Sequence, residues 1–155
     1  MTTKKIIIDS TEMSNTLSSY AKKLKESGVL REQLASALIY AGLAEYFCDE
    51  FIKALIDQLN LKNQKGSVNL KSKIVYKNEN TNLEYALIKL KYIEYPDKNE
   101  IEEIIKIIKD ARNNLFHNLI RAGEKKINLS IEIIKIQDYT PLLRDRLAQS
   151  LIKTL

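Results

Sequence analysis

From Lys98 to Ala122 the chain has neither glycine nor proline, and its apolar residues return at spacings of three and four: Ile101, Ile104, Ile108, Ala111, Leu115, Leu119. That period suits an α-helix with about 3.6 residues per turn and no strand. Asp97 or Asn99 opens this helix and Gly123 closes it. The same economy holds throughout. With 4 glycines and 2 prolines in 155 residues, turn chemistry is scarce, which favours a few long helices over many short strands.

Residues 10–27 read as a first helix, capped by Ser10 or Thr11, with Leu17, Tyr20, Ala21 and Leu24 on one face and Gly28 at its end. Ahead of it, Ile6, Ile7 and Ile8 form either a short strand or a docking arm. Residues 29–60 read as one long helix with the stripe Leu34, Leu38, Ala41, Cys48, Ile52, Leu55, Leu59. Residues 61–80 break the pattern. Gly66, several asparagines and alternation through Val68, Leu70, Ile74 and Tyr76 predict a loop with a short strand. A helix over 81–95 is capped by Thr81 or Asn82 and stopped by Pro96. Residues 129–138 and 141–154 predict one or two helices, Thr140 and Pro141 supplying the cap and first turn of the last.

The expected fold is all-α: an up-and-down helical bundle with two long central helices and a short irregular or strand-like insert near 61–80. A single domain is expected over 1–155, with 1–28 as an N-terminal extension and helix and 29–155 as the bundle.

Composition narrows the chemistry. The net charge of +5 and a pI near 9.1 suit a polyanionic partner without requiring one. One cysteine, Cys48, allows no intrachain disulfide and no multi-cysteine zinc site. Because it falls in a core stripe, no cysteine–histidine dyad is expected. One histidine without a matching carboxylate–histidine spacing argues against a zinc or di-iron centre, so neither metal nor cofactor is expected. There is no glycine-rich phosphate loop and no G-x-S-x-G. The apolar run after Lys4 and Lys5 is three residues long, too short for a signal peptide, and no stretch approaches a membrane span. A cytoplasmic location away from membranes is the expectation.

The only histidine, His117, lies in the stretch ARNNLFHNLI over 111–120. At about 100° per residue, Asn113 and His117 point nearly opposite to the stripe of Ala111, Leu115 and Leu119, with Arg112 roughly 80° off it. Phe116 and Ile120 lie beside them, and Ile105 extends that strip towards the helix start. A helix apolar on both sides is either buried all round or packed against a second copy of the chain across a two-fold axis. In the long helix, Glu45 interrupts the stripe between Ala41 and Cys48. A carboxylate there is costly unless it is paired, with Arg112 as the candidate partner, or unless it lies at the bundle's edge and reaches water. From Lys62 to Lys77 lysines occur without an acid, either as a solvated loop or as a phosphate-contacting arm. In the second case Lys71 and Lys73 touch phosphate and Tyr76 stacks on a base.

The run Arg112-Asn113-Asn114-Leu115-Phe116-His117 reads R-N-x-x-x-H and resembles the motif of the HEPN superfamily, all-helical domains with an arginine and a histidine near the end of a late helix. The resemblance extends over about residues 29–155, but its specific part is six residues long. It implies metal-independent RNA cleavage by a homodimer whose two motifs meet at the interface, with Arg112, Asn113 and His117 as the site. It also implies a role as a toxin or phage-defence effector, with an antitoxin or nucleotidyltransferase as a possible partner. Where some toxin members carry a tyrosine two residues after the histidine, this chain has Leu119.

The chemistry argues the same way. Metal-free cleavage of RNA needs a base for the 2′-hydroxyl, an acid for the leaving 5′-oxygen and a counter-charge for the phosphorane. Histidine serves as base or acid, arginine as the counter-charge, and asparagine orients either. One chain offers one histidine, and a two-fold dimer offers two. The rival expectation is a catalytically inactive helical module of the same fold that binds nucleotide or RNA, or that serves as an assembly subunit.

Overall fold

The computed structural model describes residues 10–66, 82–121 and 129–154. They form five helices and, among the described residues, no strand: α1 (Ser10–Glu26), α2 (Leu30–Gln64), α3 (Leu83–Lys91), α4 (Lys98–Arg121) and α5 (Ser130–Thr154). The fold is an all-α bundle. The 35 residues of α2 make a rod of about 50 Å at 1.5 Å rise per residue. α5 packs along both α2 and α4, α1 lies against α2, and the short α3 bridges α2 and α4.

Two apolar clusters fill the bundle. One joins Cys48, Phe51 and Ile52 of α2 to Leu90 of α3, Ile101, Ile105 and Ile108 of α4 and Leu143 of α5. The other joins Ala21 of α1, Ala37 and Tyr40 of α2, Ala111 and Leu115 of α4 and Ile136 of α5. Phe47 packs against both. Leu38 stands at the rim of this second layer rather than in it, exposed where its neighbours Ala37, Tyr40 and Ala41 are buried. α1 is part of the packed bundle. Ala21 is fully buried and its carbonyl accepts a hydrogen bond from the buried Ser36 hydroxyl at 2.7 Å.

The ends of the helices have local causes. The Gln33 side-chain amide donates to the carbonyls of Lys25 and Ser27, taking up acceptors that the end of α1 leaves open. Asn82 caps α3, its side-chain oxygen accepting from the Tyr85 N–H at 2.9 Å. Asp97 precedes α4 with φ of 61°, a left-handed conformation that aspartate tolerates. α2 runs on to Gln64, past the end expected at residue 60. It closes at Gly66, whose φ of 75° suits glycine and whose N–H donates to the Asn63 carbonyl at 3.1 Å. The rest of the expected strand-like insert lies outside the described residues.

The C-terminal segment is one helix, not two. Pro141 lies inside α5 instead of opening a new element. A mid-helix proline costs about 3 kcal/mol through the missing N–H and a clash with the preceding turn. The buried face of α5 nevertheless passes through it unbroken, as Ile133, Ile136, Thr140, Leu143 and Leu147. Burial of each large apolar side chain contributes about 1.5–3 kcal/mol, which outweighs the proline.

Candidate functional site

The inward face of α4 sets the site. Ala111 and Leu115 are buried in the second cluster, so the helix turns Asn113 and His117 to solvent and leaves Arg112 half-buried on its flank. Arg112 is held from two sides. Its Nη1 donates to Oε1 of Glu45 on α2, an ion pair in which the side chains are 27% and 30% exposed. Its guanidinium also lies 5.8 Å from the centroid of the Phe116 ring, one turn further along α4. Glu45 is therefore neither buried alone nor free in water. It sits at the bundle rim, paired, where the cost of desolvating a carboxylate is reduced. Among the described residues the guanidinium donates to Glu45 through one nitrogen, and its planar fork has the geometry to meet a phosphate as well.

The start of α3 borders the same place. A cleft of about 110 Å³ is lined by Asn82, Leu83, Glu84, Lys109, Arg112 and Asn113. Lys109 is a site neighbour that the motif does not contain. Its spacing was legible, since Lys109, Asn113 and His117 recur every four residues on one polar face of α4. Asn82 and Glu84 carried no such signal, because only tertiary packing brings α3 to α4.

The structure thus brings Glu45, Arg112, Asn113 and Phe116 together, with His117 exposed one turn beyond Asn113 on the same face. The outward apolar strip is shorter than expected. Phe116 and Ile120 are exposed, at 44% and 86%, but Ile105 is fully buried in the first cluster of its own chain. Ile105 belongs to the core and is not available to a partner, because α2 and α3 as well as α5 close over the first half of α4. Lys71, Lys73 and Tyr76 lie outside the described residues.

No family model, no curated protein and no solved structure matches this chain.

Other titratable groups stand apart from the motif. Burial, followed by the nearby charges of Glu45 and Asp49, pushes the Cys48 thiol up to about 12, so it is no nucleophile near neutral pH. Burial and the adjacent Glu102 raise the Tyr95 hydroxyl, which donates to Oε1 of Glu102 at 3.4 Å. Among the described residues no group of three or more histidine, cysteine or acidic side chains is placed to hold a metal ion. None of the helices is long and apolar enough to cross a membrane.

Proposed function

We propose that this chain is a metal-independent endoribonuclease that works as a homodimer. The observation that carries the reading is a paired arginine five residues before an exposed histidine on the same helix. Glu45 and Phe116 fix Arg112, while Asn113 and His117 face outward on the same helix. Two copies meeting through Phe116 and Ile120 bring two imidazoles and two guanidinium groups to one groove.

In that groove His117 of one protomer takes the proton of a 2′-hydroxyl, and the 2′-oxygen attacks the adjacent phosphorus. Arg112 stabilises the added negative charge of the phosphorane. The partner's His117 gives a proton to the departing 5′-oxygen, and the P–O5′ bond breaks. The products are a 2′,3′-cyclic phosphate and a 5′-hydroxyl end. Asn113 orients the imidazole or the phosphate, and Glu45 acts as a positioning residue through Arg112. The resemblance to the HEPN motif extends the proposal to a cytoplasmic toxin or phage-defence effector, with an antitoxin or nucleotidyltransferase as partner.

One observation favours a second reading. The Glu45 carboxylate offsets the charge of Arg112, as suits a helical module that binds RNA or nucleotide without cutting it, or that serves as an assembly subunit. Incubation of wild type and His117→Ala with mixed RNA separates the two. Cleavage confined to the wild type, with cyclic phosphate ends, supports the enzyme. Equal products from both, or none from either, leaves the binding module.

A further inference from the structure

A larger cleft opens among α1, α2 and α5. Its volume is about 520 Å³, within the range of roughly 300–1,000 Å³ usual for small-molecule sites. Lys22 and Lys25 reach it from α1, one turn apart, and Arg144 reaches it from α5. Against these three cations the lining has a single carboxylate, Glu26. The rings of Tyr40 and Phe47 on α2 and of Pro141 on α5 form an apolar wall.

The cations are not consumed by the fold. Lys22 has no acidic partner among the described residues. Lys25 meets Asp138 at 3.1 Å with both side chains well exposed, a pairing that water and salt weaken. Arg144 lies 3.6 Å from its chain neighbour Asp145, also in solvent. Convergence of like charges raises the energy of the empty cleft and favours an anion in it. The Tyr40 phenol senses this field. Burial raises its pKa, and the charges of Lys25 and Arg144 pull against that rise.

Chemistry then selects the ligand. Three cations suit a group with two negative charges, and a phosphomonoester carries about −1.5 to −2 near neutral pH. Arginine matches phosphate with its planar fork, and lysine adds compact charge. The apolar wall calls for an organic part, and bare phosphate would occupy only a fraction of the volume. The geometry points to a site for a small organic phosphomonoester between α1, α2 and α5, the phosphate on Lys22, Lys25 and Arg144 and the organic group on Tyr40 and Phe47. The site is separate from the Arg112 motif. Tyr40 and Phe47 lie roughly 140–160° around α2 from Glu45, on the far side of that helix.

Calorimetric titration of the full chain with phenyl phosphate, inorganic phosphate and phenol tests it. Phenyl phosphate binds, and inorganic phosphate and phenol each bind about tenfold more weakly or worse, as the loss of one half of the recognition requires. Lys22→Glu and Arg144→Glu alter exposed positions and keep the helical circular dichroism. Each weakens phenyl phosphate by about tenfold or more. Absence of binding at millimolar phenyl phosphate overturns the proposal. So does an unchanged affinity in the double variant, or equal affinity for phenyl phosphate and inorganic phosphate.

Discussion

Arg112 on α4 and Glu45 on α2, 67 residues apart in the chain, meet as an ion pair at the rim of the bundle. The pair links the two helices whose inward faces build the core, and it holds a guanidinium beside the outward face that carries Asn113 and His117. A long arginine side chain otherwise samples many rotamers, and its fork is useful to a phosphate only when it is already oriented.

Glu45→Gln keeps the side-chain size and removes the charge. The pair is partly solvated, so the expected loss of stability is about 1 kcal/mol or less. On the proposed ribonuclease reading, RNA cleavage is expected to fall further, by about tenfold, because Arg112 loses its orientation rather than its charge. Thermal melting and a cleavage time course on the same preparation compare the two effects. Unchanged cleavage removes Glu45 from the site.

On the proposed composite site, His117→Ala removes both the base and the acid and is expected to lower cleavage by at least roughly 10²–10⁴-fold, the usual contribution of one such group. The side chain is exposed, so melting stays within about 0.5 kcal/mol of wild type. Mixing His117→Ala with wild-type chains examines the composite groove. Cleavage that falls more steeply than the wild-type fraction, because a mixed dimer lacks one of the two imidazoles, marks a site shared between protomers.

Ile120 and Ile105 respond oppositely. Ile120→Asp, at a position 86% exposed, leaves the subunit folded and shifts sedimentation towards a monomer at micromolar concentration. Ile105→Ala, at a fully buried position, costs about 2–5 kcal/mol by leaving a cavity. Denaturant midpoints separate the two. A single sedimenting species common to wild type and Ile120→Asp argues against the proposed interface.

Stability falls in alkali. The Cys48 thiol holds its proton to about pH 12 when folded, whereas an unfolded thiol ionises near pH 8.5. Between those values the folded state binds more protons, so unfolding becomes easier as pH rises, by at most about 1.4 kcal/mol per unit. The raised Tyr95 hydroxyl acts in the same direction at higher pH, above the ordinary tyrosine value. Urea midpoints at pH 7, 9 and 10.5 should decline steadily. Iodoacetamide at pH 8 labels Cys48 only in the denatured protein.

Periodicity carried most of the fold. The stripes of α2 and α4, the cap at Asn82 and the end of α1 near Gly28 are local matters of spacing and capping chemistry, and they stand in the structure near where the sequence places them. Pro141 shows where local rules stop. A cap-and-first-turn pair reads as a boundary, yet a buried face continuing through Thr140 and Leu143 holds one helix together. Ile105 fails for a related reason. One helix viewed alone shows which residues are apolar, and only its neighbours decide whether a second apolar flank meets its own chain or the outside.

The order of residues along α4 was enough to turn Asn113 and His117 away from Ala111 and Leu115, because helical geometry fixes directions within about four residues. Packing alone decided that α2 would present Glu45 to Arg112, that α3 would bring Asn82 beside Lys109, and that α1 and α5 would gather Lys22, Lys25 and Arg144 around Tyr40. Those contacts join residues far apart in the chain, and their positions depend on how whole helices settle against one another, which no short-range pattern encodes.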